Sequence, residues 1–288
     1  MRGMSTPSSA AVPNATDPFG LHLRHWRHKR RLSQLDLAHE AAVSTRHLSC
    51  VETGRALPSR EMVLRLAERL EVPPRERNAL LVAAGFAPMY RQRSLDDPAL
   101  KAARDAVGRL LQAHAPHPAL AVDRHWNLVA ANAMVPLLLA GVADPALLAA
   151  PVNVLRLSLH PGGLAPHIAN LAQWRGHLLE RLARQVAATG DAQLAALRQE
   201  LAAYPAPSAG SAHPVVDGEL AGVLVPLHLN TPRGLLRLVS TTTVFGTPVD
   251  ITLQELAVES FFPADTTTAA ALVDLHASLP QGPSVAGA

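Results

Sequence analysis

The stretch Leu32–Gly54, LSQLDLAHEAAVSTRHLSCVETG, gathers side chains suited to recognition rather than reaction. Ser33, Gln34, Ser44, Thr45, Arg46 and Ser49 fall within it, and Arg55 and Arg60 follow closely. Hydroxyls and amides donate and accept hydrogen bonds, and a guanidinium is a rigid fork of five donors. Such a set suits anions and polar edges. Residues that could make or break bonds are scattered. His160, His167 and His177 invite a metal, but their spacings of 7 and 10 do not put them on one face of a short helix. No HExxH motif or cysteine pair accompanies them, so they read as structural or surface histidines and no metal is expected. Asp123, His125 and Ser158 hold the ingredients of a triad without a GxSxG elbow. There is no Walker A loop and no GxGxxG. These absences predict neither an enzyme nor a bound cofactor.

The elements that must position the first set follow from local signals. Ser33 stands at an N-cap with Asp36 at N3, a variant capping box. Leu35, Leu37, Ala38 and Ala41 are expected to face inward. Ala42-Val43-Ser44 is a tight turn with an apolar plug at its centre. Ser44 caps a second helix in which Leu48 and Val51 point inward, and Gly54 suits the left-handed C′ position. Two short helices joined in this way form a helix-turn-helix, whose second helix enters the major groove of DNA. Short amphipathic helices surround the pair from Phe19 to about Pro88. Ser59 caps Arg60–Glu71, and Pro74 at N1 opens a helix that closes at Gly85. The expected unit is all-α, with five helices.

Charge patterning agrees. The 288 residues hold 26 Lys and Arg against 23 Asp and Glu, a net charge of +3. Through residue 95 there are 15 basic and 8 acidic residues; beyond it, 11 and 15. A basic first third on a mildly acidic remainder suggests a nucleic-acid module joined to something else. Only Lys29 and Lys101 are lysines, against 24 arginines, a bias read first as genomic composition. Apolar residues at 48% exclude a wholly disordered chain. No run approaches 18 apolar residues, so no membrane helix is expected. The first 20 residues lack the apolar core of a secretory signal. The single cysteine, Cys50, excludes an internal disulfide and fits a cytoplasmic protein.

After a polar stretch, RQRSLDDP, the pattern changes. Pro98–His114 reads as a helix with Leu100, Ala103, Val107, Leu110 and Leu111 on one face. Leu120 and Val122, then Leu128 and Ala130, alternate about a turn at Arg124–His125 as two strands. Helical patterns run through Leu137, Leu155–Leu159 and Leu171–Leu201. A Pro/Ala/Ser/Gly loop spans Ala203–Gly218. Val223, Val225, Leu227 and Leu229 form a strand, Thr231-Pro-Arg-Gly234 a β-turn, and Leu235–Val244 the returning strand. Leu256, Val258, Ser260 and Phe262 alternate again, and Asp265 caps a last helix, Thr266–Leu279. The second region is therefore α/β or α+β, with a roughly five-stranded antiparallel sheet, inserted helices and one face covered by them.

The segments LRHWR, LSQLDLA, VSTRHLSCVETG and PSREMVLRLAERL resemble the XRE, or phage-repressor, type of helix-turn-helix, over residues 20–87. Ala42 stands where that family usually has Gly, and fits if its φ is near −60°. The resemblance implies a lambda-repressor-like fold and double-stranded DNA as partner. By that resemblance Gln34 would bond a phosphate beside a helix N-terminus. Ser44 would open the recognition helix, and Thr45, Arg46, Ser49 and Cys50 would lie on its outward face. Arg46 would contact guanine in bidentate fashion, a discrimination of about 1–3 kcal/mol. Arg55 and Arg60 would hold phosphates. Arg27 and Glu52 match the family's buried ion pair. Bland readings stand beside these: Arg46 as a solvated charge, His47 as a capping or packing residue, Cys50 without redox chemistry, Trp26 as core.

Farther on, RNALLVAAGFAPMYR, DRHWNLVAANAM, NVLRLSLHPGG and STTTVFGTPVDITLQELAVESFFPAD resemble the MmyB-like transcription regulators, whose XRE-type domain precedes a PAS-like ligand-binding domain. The match runs to about Leu275. It implies a small apolar, fatty-acid-like ligand. A sheet covered by helices can enclose an apolar cavity, for which Trp126, Leu128, Trp174, Leu178, Val239, Phe245 and Phe261 are candidate linings. Asn132 and Arg156 are candidate polar ends, Arg156 for a carboxylate. For each apolar residue plain core packing is the stronger reading, Asn132 could end a strand, and Arg156 could pair with an acid. The expected layout is a disordered arm at 1–17, a helix-turn-helix domain at 18–90, a linker at 91–99, a PAS-like ligand-binding and dimerisation domain at 100–279, and a flexible tail at 280–288. The expected protein is a homodimeric transcription regulator; the alternatives are a DNA-bound interaction scaffold and an enzyme fused to a DNA-binding domain.

Overall fold

The computed structural model describes residues 18–205, 225–245 and 250–279. The expected arm, most of the Ala203–Gly218 loop, the strand start at Val223 and the tail from Pro280 lie outside the described residues. The chain forms two compact units, one built mainly on residues up to Gln92 and the other mainly on those from Arg93.

The first unit holds five helices: α1 (Phe19–Lys29), α2 (Gln34–Glu40), α3 (Thr45–Glu52), α4 (Arg60–Arg69) and α5 (Pro74–Ala83). Serine hydroxyls cap three of them. Ser33 accepts from the Asp36 N–H while the Asp36 carboxylate accepts from the Ser33 N–H, closing the capping box. Ser44 and Ser59 accept from the N–H groups of His47 and Met62. All five helices end in the same way. A left-handed residue sits at C′: Arg31, Ala42, Gly54, Glu71 and Gly85, with φ between 48° and 84°. The N–H that follows it bonds back to the third residue from the helix end, as from Val43 to the Ala38 carbonyl and from Phe86 to the Leu81 carbonyl. These are Schellman closures, and they satisfy carbonyls that would otherwise lack partners.

Two expectations are corrected. Ala42 has φ 51°, not −60°, because the turn between α2 and α3 is one of these closures and demands the left-handed region. Leu35 is 66% exposed. It lies two residues, or about 200°, from Leu37 around the helix, away from the face that Leu37, Ala38 and Ala41 share. That face packs with Leu23, Trp26, Leu48, Val51, Val63 and Leu66 in a continuous core. α1 meets α3 so closely at Gly20 that a Cβ there would lie 2.3 Å from the Glu52 carbonyl oxygen.

The second unit opens with α6 (Lys101–Ala113) after a 3-10 turn at Pro98–Leu100. β1 (Ala119–Val122), β2 (Leu128–Ala131), α7 (Met134–Leu138), α8 (Val154–Leu159), α9 (Leu171–Thr189) and α10 (Ala192–Ala203) follow. β3 (Leu227–Thr231), β4 (Gly234–Val244), α11 (Ile251–Gln254), β5 (Ala257–Pro263) and α12 (Thr266–Ala277) complete it. The five strands form one antiparallel sheet in the order β2-β1-β5-β4-β3. Pro232 and Arg233 join β3 to β4, and Asp265 caps α12 through the Thr268 N–H.

The helical pattern from Leu171 to Leu201 is not one helix: Gly190, at φ 74°, separates α9 from α10. Nor are helices confined to one face. In β1 the small residues Ala119 and Ala121 meet Val107 and Leu111 of α6 on one side. Leu120 and Val122 point to the other side, into the larger core with Trp174, Leu178, Leu182, Leu229 and Leu238. Period-two alternation therefore feeds two cores, with alanine where a helix comes close and larger residues where several helices leave more depth.

Candidate DNA-recognition face and ligand cavity

The recognition helix is held from beneath by a buried charge cluster. The Glu52 carboxylate, fully buried at the end of α3, accepts from Arg27 Nε at 2.6 Å and Nη2 at 3.0 Å. It also accepts from Gln34 Nε2 at 2.7 Å, and Arg24 Nε lies 3.8 Å away. Arg27 donates a further bond to the Leu32 carbonyl at 2.9 Å. One pair thus ties α1, the turn after it, α2 and α3 together. Burial pushes the Glu52 carboxyl up, but the bonds from Arg27 and Gln34 and the charges of Arg27 and Arg24 outweigh it and hold the group below its ordinary range.

With Leu48, Val51 and Glu52 facing inward, α3 turns its other side out. Arg46 and His47 are exposed, and Thr45, Ser49 and Cys50 are half-buried beside them. Thr45, Arg46, Ser49 and Cys50 share one stripe at i, i+3 and i+4 spacing. Ser44 is exposed, its hydroxyl engaged in the cap. Arg55, in the connection from α3 to α4, and Arg60, at the start of α4, are exposed. Gln34 sits at the first turn of α2 with one amide donor already committed to Glu52. Trp26 is core, 3% exposed, with Lys29 Nζ 4.4 Å from its ring centroid.

In the second unit an apolar cavity of about 110 Å³ lies between the larger sheet face and α7, α8 and α9. Trp126, Leu128, Trp174, Leu178 and Phe261 line it. The four other expected residues do not. Val239 follows Leu238 on β4, and strand alternation turns it to the opposite face. Phe245 packs with the α6 cluster. Asn132 is buried, but its amide accepts from the Ala119 and Met134 N–H groups and donates to the Leu111 and His117 carbonyls. It ends a strand. Arg156 forms a bidentate pair with Glu200 at 2.8 and 2.7 Å on the surface. Tyr204 joins that pair through Glu200 Oε1, and its hydroxyl is pushed up to about 12 by burial and by the Glu200 carboxylate.

The polar residues that do reach the cavity are Ser158, Arg181 and Glu259. Arg181 on α9 donates to Glu259 on β5 at 2.6 and 3.2 Å and to Thr242 Oγ1 at 2.7 Å. Its guanidinium stands 4.5 Å from the Trp126 ring centroid. Ser158 Oγ accepts from Trp174 Nε1 at 3.0 Å. Sequence reasoning missed Arg181 and Glu259. The available signal was an acid at an interior-parity position of a strand, between Val258 and Ser260, which needs a cation across the core.

Trp126 is left-handed, with φ 68°, rare for a bulky residue. Asp123 imposes the turn: its Oδ1 accepts from the His125 and Asn127 N–H groups. Trp126 Nε1 donates to Gln185 on α9. Asp123 therefore shapes the β1–β2 turn, and the Ser158 oxygen serves Trp174. His160 packs edge-on against Tyr204, His167 meets the Gly141 carbonyl, and His177 stacks on Trp174. Among the described residues no cluster of three or more His, Cys, Asp or Glu could hold a metal.

Residues 18–80 match the model of a helix-turn-helix domain family. Residues 103–275 match that of the MmyB-like transcription regulator ligand binding domain. A helix-turn-helix module with a separate ligand-binding domain defines a DNA-binding transcription regulator. The second match covers more than half of the chain, and the protein belongs to the MmyB-like transcription regulator family. Both matched families are regulator modules rather than enzymes. No curated protein matches the chain. Among the described residues, no helix is long and apolar enough to cross a membrane.

Proposed function

We propose that the protein is a cytoplasmic, homodimeric regulator that reads its operator through α3 and changes its operator affinity when a small apolar molecule occupies the second domain. The cavity carries this reading: its walls are mainly leucine, valine, tryptophan and phenylalanine, with Ser158, Arg181 and Glu259 the polar groups among them. Fatty-acid-like molecules are one chemistry of this kind. On the DNA side, Arg46 reads a base, with Thr45 and Ser49 beside it. Gln34, Arg55 and Arg60 hold phosphates, and their contribution weakens with salt. Ser44 keeps the start of α3 in register. A ligand acts only through unequal affinity for two states, a coupling of about 1–3 kcal/mol.

The test is native mass spectrometry of the purified protein before and after solvent extraction, followed by titration of a selected operator with both preparations. A stoichiometric small molecule, and a roughly 5- to 150-fold change in operator affinity on its removal, is the expected result. Identical titrations with no molecule released would favour the scaffold reading, in which the second domain only dimerises or recruits a partner.

A further inference from the structure

The cavity is small for the ligand class it suits, and a second hollow adjoins it. Its volume of about 110 Å³ is below the roughly 150 Å³ of a buried apolar cavity that holds one benzene. Ligand pockets commonly span about 300–1,000 Å³. The second hollow, about 240 Å³, lies between the end of α7 and the turn from β3 to β4. Leu138, Leu164 and Leu229 line both spaces, so these three side chains stand between them. A leucine can change rotamer there without breaking a hydrogen bond. The outer hollow opens to solvent past Ala140, Asn230 and Pro232, all exposed. His167 forms part of its wall, with Nε2 2.9 Å from the Gly141 carbonyl oxygen. The ring fits because residue 141 is glycine: a Cβ there would lie 2.7 Å from Nε2. The partition is far from the charged end of the inner cavity. Leu229 pairs with Leu236, and Thr242, which bonds Arg181, lies six residues farther along β4, about 20 Å at the rise of a strand. Arg181 keeps its Nε–H and one Nη1–H beyond its bonds to Glu259 and Thr242. These donors suit an oxygen-bearing head group, and a chain held there has its tail directed toward the three leucines.

We propose that the outer hollow is the tail compartment of one extended site: a single unbranched chain passes between Leu138, Leu164 and Leu229, and the two spaces together set its length. This rests on the reading of the inner cavity as the ligand site and names the length class of its ligand. The inner cavity alone accepts about six carbons. Spaces of 110 and 240 Å³ filled together reach the size of an ordinary ligand pocket and accept a longer acyl chain. Each methylene moved from water onto an apolar wall tightens binding roughly fourfold.

The test uses solvent-stripped full-length protein, titrated calorimetrically at neutral pH with hexanoate, octanoate, decanoate and dodecanoate below their micelle concentrations. Affinity is expected to climb through dodecanoate, roughly fourfold per added methylene. Ala140→Trp, which fills the outer hollow from its exposed rim, is expected to flatten the climb beyond octanoate. Pro232→Trp fills it from the β3–β4 turn and serves where Ala140→Trp does not fold. A plateau beyond hexanoate on the unmodified protein would overturn the extended site and leave the cavity reading intact. An unchanged climb in the variants would do the same, because the chain would then leave by another route. If none of the four binds, the cavity reading fails and the extended site fails with it.

Discussion

Two arginine–glutamate pairs mark the two domains, and they do opposite things. Arg27–Glu52 lies beneath a surface: it is buried so that the other side of α3 can face solvent. Arg181–Glu259 lines a hollow whose other walls are mainly apolar. The first fixes the geometry of groups that project outward, and the second supplies the charged part of a wall that faces inward. The candidate sites follow the same contrast. The DNA face is assembled from a run of fewer than thirty residues, Gln34 to Arg60, whereas the cavity draws on positions from Pro118 to Phe261.

That contrast explains what is legible in the sequence. Helix caps, turns and outward stripes are set by neighbours in sequence, so Ser33, Ser44, Ser59 and Gly54 announce their roles. Ala42 misleads because alanine gives no sign of a left-handed residue, although the turn imposes one. In the second domain, alternation locates the strands, but which parity faces the deeper core depends on which helices arrive from elsewhere in the chain. Val239 and Phe261 are both apolar strand residues, and only Phe261 reaches the cavity. Asn132 and Arg156 resemble ligand groups because their partners, the Ala119 and Met134 amides and Glu200, are recognisable only in three dimensions.

The largest expected effect tests the supporting role of the first pair. Glu52→Ala strands the Arg27 charge and should cost about 3–5 kcal/mol. Amide hydrogen exchange should accelerate across α1–α3 while the β-sheet keeps its protection; equal loosening of both would break the contrast. The same carboxyl sets an acid limit. Its folded pKa is lower than its unfolded value, ordinarily 4.5, so it stabilises the fold above that value. The contribution fades as pH falls through the lower folded pKa, and acid titration of the Glu52→Gln variant should lack this component.

Arg46→Ala should remove about 1–3 kcal/mol of base discrimination with little change in stability, because the side chain is exposed. Selection from a randomised operator library reads this directly, and an unchanged preferred site would count against the assignment. Ala42→Gly should stabilise the first domain by roughly 0.5–1 kcal/mol, the relief of a left-handed alanine less the added freedom of the unfolded chain. Denaturant midpoints at constant slope would show it. The smallest effect is reserved for Arg156→Ala. Its pair with Glu200 is exposed on both sides, so stability should change by about 1 kcal/mol or less and affinity for any molecule held in the cavity not at all. A large loss of affinity would mean that the cavity reaches farther than its lining residues indicate.

The three tryptophans are divided between the domains: Trp26 in the helical core, Trp126 and Trp174 in the cavity wall. Trp126 emits beneath a guanidinium, and Trp174 lies stacked on His177 with its N–H on Ser158. An arriving molecule must change the surroundings of both indoles and leave Trp26 outside its direct contacts. The protein is therefore its own optical gauge of occupancy: a Trp26→Phe background silences the first domain, and the remaining emission follows filling of the second without any attached dye.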